Sequence, residues 1–467
     1  MSTSSPMTPD EHISMSETHS SKTIHDRNGM NLERLTRNST NRAAAPLTRV
    51  VLVAATLAAV ALGGQGSVIA QENPAEIERA RALRMKLQKG EALTDDEQAE
   101  VEERNRAREL RHSRQKGETL TADEQAYLDR YQGKKGPVPP PRDFTGMIPL
   151  TELGAQTYKG EDGGLYGGGR NEPPAPHRAA AERELARITP LDSEGRPAKD
   201  GKIVFLSIGM SNASVEFAQF EDFAKVDPRK SPHVVVVNGA QSGRAASIWV
   251  DREMGLSPWR VVEERLKLAG VTTRQVQVAW IKHAQGNPRQ LGEFPAHARV
   301  LADNTIKTLH LLRERHPNCR VVYLASRIYA GYALTPQNPE PYAYEGAFAM
   351  RWIIQAQMKG DPQLNFDPAK GAVKAPAVVW GPYLWTDGVK PRADGLVWLR
   401  EDLRPDDGSH PSGPPAQEME KARYRSDGDA FNFTGNDSGR RKVAQLLLDF
   451  VHHNPLAARW YLKPTEQ

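Results

Sequence analysis

From about residue 200 the chain alternates short β-branched runs with longer amphipathic segments, and nothing else in the sequence restricts its fold as strongly. "KIVFLSIG" (202–209), "HVVVVNG" (233–239), "VQVAWI" (276–281), "CRVVYLAS" (319–326) and "AVVWGP" (377–382) read as buried strands. Between and after them, "WRVVEERLKLAG", "ARVLADNTIKTLHLLRERH", "AYEGAFAMRWIIQAQMKG" and "GRRKVAQLLLDFVHH" carry helical spacing. Strand, helix, strand at these intervals predicts an α/β domain over 200–460, with a mostly parallel sheet covered on both faces in a three-layer α/β/α arrangement. Ligands of such sheets sit at the carboxyl ends of the strands, so the loops that follow them are where chemistry is to be sought.

Four of those loops are polar. "GMSN" follows the first strand and delivers Ser211 either as a hydroxyl over the sheet edge or as a cap for the next helix. It is not the G-x-S-x-G elbow of the α/β-hydrolases, because Ala213 stands where the second glycine belongs. "NGAQSGR" follows the second strand, and its glycines let backbone N–H groups turn toward a ligand. "KHAQGNP" follows the third and offers Gln285 and Asn287 as side-chain donors. "DDGSHP" lies between the last strand and the closing helix, and by itself it is equally a polar turn.

Taken together, these loops resemble those of the SGNH hydrolases, the GDSL-like esterase superfamily, over roughly residues 200–455. The resemblance implies a flavodoxin-like SGNH fold and a serine nucleophile at Ser211 in "GMSN". It implies an oxyanion-hole amide at Gly243 in "NGAQSG", and an Asp-x-x-His pair at Asp407 and His410. The family's third block is Gly-x-Asn-Asp, whereas "AQGNPR" has Gly286 next to Asn287, so the side-chain oxyanion donor is either Asn287 or Gln285. A second departure is "PPAQEMEKARYRSDGDAFNFTGND", an insertion at about 413–436 between the histidine loop and the closing helix. The "GxSN" opening and "DGxHP" ending look closest to the carbohydrate-ester branch.

The roles so implied are those of a serine esterase that forms an acyl-enzyme. His410 takes the Ser211 proton and returns one to the leaving alcohol, Asp407 orients the imidazole, and the oxyanion amides receive the developing charge. The expected substrate is a small or carbohydrate ester, acetyl esters included, with no cofactor and no metal. The alternative is a catalytically inactive SGNH-fold protein that binds carbohydrate or the cell surface. Asn212, Arg244, Arg327, Tyr329 and Asp387 are candidates for the substrate pocket, each with packing or loop capping as the competing role. Trp280, Trp352, Trp380 and Trp385 suggest either a carbohydrate platform or core.

The amino-terminal part reads differently. A polar leader precedes the charge-free stretch 50–70, which ends "VIA" before Gln71. This resembles a secretory signal cleaved after Ala70 and predicts export to the periplasm or the exterior. An uncleaved membrane anchor over 50–70 is the alternative, weakened by the Gly63-Gly64-Gln65-Gly66 break, and a start at Met30 would give a leader of more ordinary length. "QKGEALTDDEQA" and "QKGETLTADEQA" then begin at Gln88 and Gln115, a repeat 27 residues apart. Thr94 and Glu97, and Thr121 and Glu124, have capping-box spacing, so 71–132 is expected as a charged helical region, a spacer or a surface for a protein or envelope partner through 74–132. Residues 133–199 are expected as Pro/Gly-rich linker and loop, the loop packed on the domain that follows. Lys and Arg number 62 against 58 Asp and Glu, interspersed, which argues against a nucleic-acid partner. The one cysteine, Cys319, excludes an internal disulfide.

Overall fold

The computed structural model describes residues 93–115, 119–133, 140–251, 257–413 and 438–464, together with Leu83 and Lys86. The leader and signal segment of 1–70, and the insertion beyond Gly413, lie outside the described residues.

Two helices, α1 (Asp95–Gln115) and α2 (Ala122–Gly133), follow the repeated threonines. The Thr94 and Glu97 backbone N–H groups donate to each other's side chains at 3.0 and 3.3 Å, and those of Thr121 and Glu124 do the same at 2.9 and 3.3 Å. Each helix therefore starts where its reciprocal cap satisfies amides that no helical turn can reach. Ala107, Leu110, Leu128 and Tyr131 form a small apolar cluster of their own between the pair.

Five strands, β1 (Ile203–Gly209), β2 (Val234–Val237), β3 (Val276–Lys282), β4 (Val321–Ala325) and β5 (Ala377–Trp380), make one parallel sheet in the order β2-β1-β3-β4-β5. Every residue of β1, β3, β4 and β5 is buried, which is why these strands are mostly apolar rather than alternating, with Ser207, Gln277 and Lys282 as polar exceptions. Gly209 pairs with Lys282 and Lys282 with Ala325, so three strands end at one level and release their loops side by side.

The helices around the sheet are α3 (Ala175–Leu185), α4 (Ser211–Val226), α5 (Ala246–Trp249), α6 (Pro258–Leu268), α7 (Ala296–Arg315), α8 (Tyr342–Met358), α9 (Gly439–His453) and α10 (Pro455–Tyr461). They pack in two sets, α4 with α9, α10 and α3, and α8 with α7, α5 and α6. The chain leaves β1 in one direction through α4 to β2, then returns past β1 through α6 to β3. Right-handed crossovers in opposite directions send α4 and α6 to opposite faces, leaving a crevice beyond the ends of β1 and β3.

Local sequence explains the helix ends and faces. Ser257 accepts from Trp259 N ahead of Pro258, and buried Trp259, Val262 and Leu266 then recur at three and four residues. In α9, Ser438 caps the start, and Val443, Ala444, Leu447, Leu448 and Val451 form the buried stripe. Phe217 of α4 stacks on Trp280 of β3 at 5.6 Å. Cys319 is buried, and burial pushes its thiol up to about 12, the behaviour of a core residue rather than a nucleophile.

The part of 133–199, expected as linker and loop, that the structure describes begins exposed at 140–144 and joins the same core from about Met147 onward. Leu150, Leu153, Leu165, Tyr166, Ala181 and Leu185 join the main apolar cluster, and α3 packs against β4 and β5. Apolar residues scattered among glycines and prolines carry no helical or strand period, so the sequence pointed to a loop packed on the domain but not to which of its residues are buried.

Candidate active site

Ser211 is the first residue of α4, immediately after the turn at the end of β1. The cap position belongs to Met210, and the serine hydroxyl is not used to cap the helix. Gly209 makes this geometry attainable: a β-carbon there would collide with the Lys282 carbonyl oxygen and lie 2.8 Å from the Ala213 β-carbon. The serine is consequently held on a close pass between β3 and its own helix, with its amide among the free N–H groups at the helix start.

The Ser211 Oγ lies 2.5 Å from His410 Nε2, and His410 Nδ1 lies 2.8 Å from Asp407 Oδ2. These three residues come from segments 199 and 3 positions apart and form one continuous hydrogen-bonded chain. Asp407 Oδ1 also accepts from the backbone N–H groups of Ser409 and His410, both at 2.8 Å. Burial acts to raise the Asp407 pKa, but the nearby imidazole charge and these hydrogen bonds outweigh it and bring it to about 2. Asp407 is 2% exposed and His410 5%, while Ser211 is half-buried, so the serine is the most accessible of the three.

A tight turn holds the acid and the imidazole together. Gly408 has φ +61, and a β-carbon there would collide with the Tyr332 carbonyl oxygen. The Leu334 N–H donates to the Asp407 carbonyl at 2.8 Å, and the Arg404 N–H to the His410 carbonyl at 2.8 Å. Gly408→Ala is therefore expected to displace the histidine loop, with loss of Ser211 reactivity of about 100-fold or more and a lowered Tm, read by serine-directed labelling and thermal melting.

The loop carrying Gly243 is anchored beside the same strand ends. The Gln241 N–H donates to the Gly209 carbonyl at 3.1 Å and the Ala246 N–H to the Ala284 carbonyl at 3.1 Å, bracketing Gly243 between the loops after β1 and β3. Gly243 has φ +70 with open space around the missing β-carbon. Asn238 fixes the start of this loop: its Oδ1 accepts from Ser207 Oγ at 2.8 Å and its Nδ2 donates to the Ser214 carbonyl at 2.7 Å.

In the third loop, Gln285 is 4% exposed and its Nε2 is a buried donor with no partner among the described residues. Asn287 is 7% exposed and adopts left-handed backbone, φ 50, where asparagine is tolerated. Both stay near the loop's anchor, since Asn338 Nδ2 donates to the Gln285 carbonyl at 3.2 Å and the Asn287 N–H to the Gln337 carbonyl at 3.0 Å.

Several residues expected in a substrate pocket have other occupations. Tyr329 is buried and donates to the Arg142 carbonyl at 2.7 Å. Asp387, also buried, accepts from Thr145 N and Oγ1 at 2.6 Å and from Gly146 N at 2.8 Å, which fixes the 145–146 turn. Asn212 and Arg327 are buried and both reach the Ser409 carbonyl. Arg244 is half-buried, and its carbonyl accepts from Trp249 Nε1 at 3.2 Å. Trp280, Trp352, Trp380 and Trp385 are all buried and belong to the core, not to an exposed platform. A polar residue just after a strand is as useful for tying down backbone as for meeting ligand, and sequence does not distinguish the two.

Sequence reasoning missed the buried ion pair beside Gly209 and α4. Lys282 Nζ lies 2.6 and 2.5 Å from the two Glu216 carboxylate oxygens, and neither side chain is exposed. Burial brings the Lys282 pKa down to about 8 against the attraction of Glu216. The signal was present as a charge inside each of two apolar runs, "VAWIK" and "SVEFAQF". Among the described residues no cluster of three or more His, Cys, Asp or Glu side chains suits a metal ion.

A scan against protein-family models and a search of curated proteins found no match to the chain.

Proposed function

We propose that the chain is an exported serine esterase of SGNH type, acting on ester groups, acetyl esters among them, through a Ser211–His410–Asp407 triad and an acyl-enzyme. The single observation that carries this reading is the unbroken hydrogen-bonded chain from Ser211 Oγ to Asp407 Oδ2. The strand order β2-β1-β3-β4-β5 supports it, being the flavodoxin-like doubly wound order with its switch point between β1 and β3, where Ser211 and the Gln285 loop emerge.

In the reaction, Ser211 attacks the ester carbonyl carbon as His410 Nε2 takes the hydroxyl proton. His410 then gives that proton to the departing alcohol oxygen, leaving Ser211 acylated. Water repeats the attack on the acyl carbon, and its proton passes through His410 to Ser211 as the acid departs. Asp407 keeps Nδ1 protonated and stabilises the imidazolium in both halves. The Ser211 and Gly243 backbone amides and the Gln285 or Asn287 carboxamide receive the oxyanion, each donor contributing about 3–4 kcal/mol. Gln285 is the stronger choice for the side chain, because its Nε2 is a buried donor awaiting an acceptor.

Export rests on the signal-like stretch ending at Ala70. No helix among the described residues is long and apolar enough to cross a membrane. The carbohydrate-ester preference, and a partner for the helices of 74–132, are parts of the same proposal that rest on sequence alone.

The test is incubation of the protein with a chromogenic acetate ester and with a serine-directed phosphonate, followed by mass mapping. Hydrolysis with a single phosphonylated peptide containing Ser211 is expected. An intact protein that neither hydrolyses nor labels would replace this reading with a binding function.

A further inference from the structure

The Ser409 carbonyl, next to the imidazole, is held from two sides. Asn212 Nδ2 donates to it at 2.8 Å from the first turn of α4, and Arg327 Nη2 donates at 3.3 Å from the loop after β4. Asn212 is 0% exposed and Arg327 6%, so neither bond competes with bulk water. The amide orientation of Asn212 follows from its partner: only the NH2 group can face a carbonyl oxygen, and Oδ1 is left buried without a donor among the described residues. An unpaired acceptor of this kind is a cost that the fold carries to keep the donor aimed at Ser409.

The geometry assigns Asn212 and Arg327 as positioning residues that lock the histidine loop to the nucleophile's helix. This assignment rests on the esterase reading for its catalytic consequence, but not for its structural one. Asn212 immediately follows Ser211 and Ser409 immediately precedes His410. The Asn212–Ser409 bond thus ties the backbone neighbours of the two reacting groups across the same gap that the 2.5 Å Ser211–His410 contact spans. Arg327 repeats the restraint from β4, a strand on the other side of β3 from β1. Its charge is felt by Glu216, Glu340 and Asp407, which attract it, and by Lys282, which repels it. Without the clamp, the backbone bonds left to the loop are its own turn, Leu334 N–H to the Asp407 carbonyl, Arg404 N–H to the His410 carbonyl and Ser412 N–H to the Asp402 carbonyl, none of which reaches α4. The imidazole would then lose its register against Ser211 while keeping its bond to Asp407.

The experiment pairs Asn212→Asp, which turns the donor into an acceptor at nearly constant shape, with Arg327→Met, which removes the second donor from a different loop. Two readouts are taken on the full chain: amide hydrogen exchange over 404–412, and steady-state hydrolysis. The Ser409 and His410 amides, which bond to Asp407 Oδ1, are expected to exchange about ten-fold or more faster in Asn212→Asp. The kcat is expected to fall about 10- to 100-fold with KM within about two-fold. Wild-type exchange at these amides in both variants overturns the clamp, whatever happens to turnover. Reduced turnover with unchanged exchange also overturns it, since it would mean that Asn212 meets substrate directly. Faster exchange in a protein whose wild type never hydrolyses or labels leaves the clamp standing and removes the esterase reading. If Asn212→Asp fails to fold, Arg327→Met carries the same exchange test alone.

Discussion

His410→Ala is expected to lower the kcat for ester hydrolysis by about four orders of magnitude or more, with Ser211→Ala at least as severe and Asp407→Asn close to 10,000-fold. The first removes the only base within reach of the Ser211 hydroxyl among the described residues, a 2.5 Å contact. The third leaves a group of the same shape, but a carboxamide cannot accept from the imidazole, the Ser409 N–H and the His410 N–H as the carboxylate does. It would favour the tautomer with its proton on Nε2, facing the serine, which is the wrong one for taking a proton. Because the three residues act as one unit, a Ser211→Ala, His410→Ala double variant should be no slower than the worse single one; additive losses would mean separate roles.

The same substitution has a stability signature whose sign follows from the Asp407 carboxyl. Its pKa falls from 3.8 to about 2 on folding, so the stabilisation is fully present above pH 3.8 and is lost as pH falls through about 2. Denaturant titrations of wild type and Asp407→Asn should differ by on the order of 2 kcal/mol at pH 7, converging below pH 2. A difference that persists unchanged to the lowest pH would place the effect in packing instead of charge.

Lys282→Met should destabilise the fold by about 3–5 kcal/mol, because it strands the Glu216 carboxylate in a site with no exposure on either partner. Glu216→Leu alone should cost a similar amount by stranding the ammonium. The double variant Glu216→Leu, Lys282→Met should recover most of the loss, since two apolar side chains of similar volume need no water and no partner. Chemical denaturation of the four proteins forms the required cycle. A double variant as unstable as the singles would mean that the pair is needed for the packing of α4 on β3, not only for mutual neutralisation. The pair matters to the site by location: Lys282 ends β3 beside Gly209, and Glu216 lies one to two turns along the helix that presents Ser211.

The expected strands appear within one or two residues of their observed ends. "VQVAWI" becomes β3 with Lys282 added, and "HVVVVNG" is trimmed to Val234–Val237. The residues of the proposed triad could also be named in advance, through the resemblance carried by "GMSN" and "DGSHP". The loops of the proposed oxyanion donors were visible too, and the preference for Gln285 over Asn287 rests on a buried Nε2 with no partner among the described residues. Tyr329 and Asp387 read the same way as Arg327 in sequence, yet the first two hold the 142–146 segment and the last holds Ser409. Polar type and position after a strand say that a side chain will be engaged, not by what.

What the sequence determined alone is whatever depends on near neighbours: strand and helix periods, capping boxes at Thr94 and Thr121, and the glycines that permit tight turns. What only tertiary structure decided is which distant groups meet. The Ser211 hydroxyl and the His410 imidazole are 199 positions apart and become partners because the segment after β5 is tied to the segment after β4 at Leu334 and Asp407 and to α4 at Asn212 and Ser409. Likewise, Lys282 and Glu216 were two unrelated charges until burial required each to have the other. The physical reason is that periodicity is a property of a few consecutive residues, whereas a site is a coincidence in space that the packing of the whole sheet imposes.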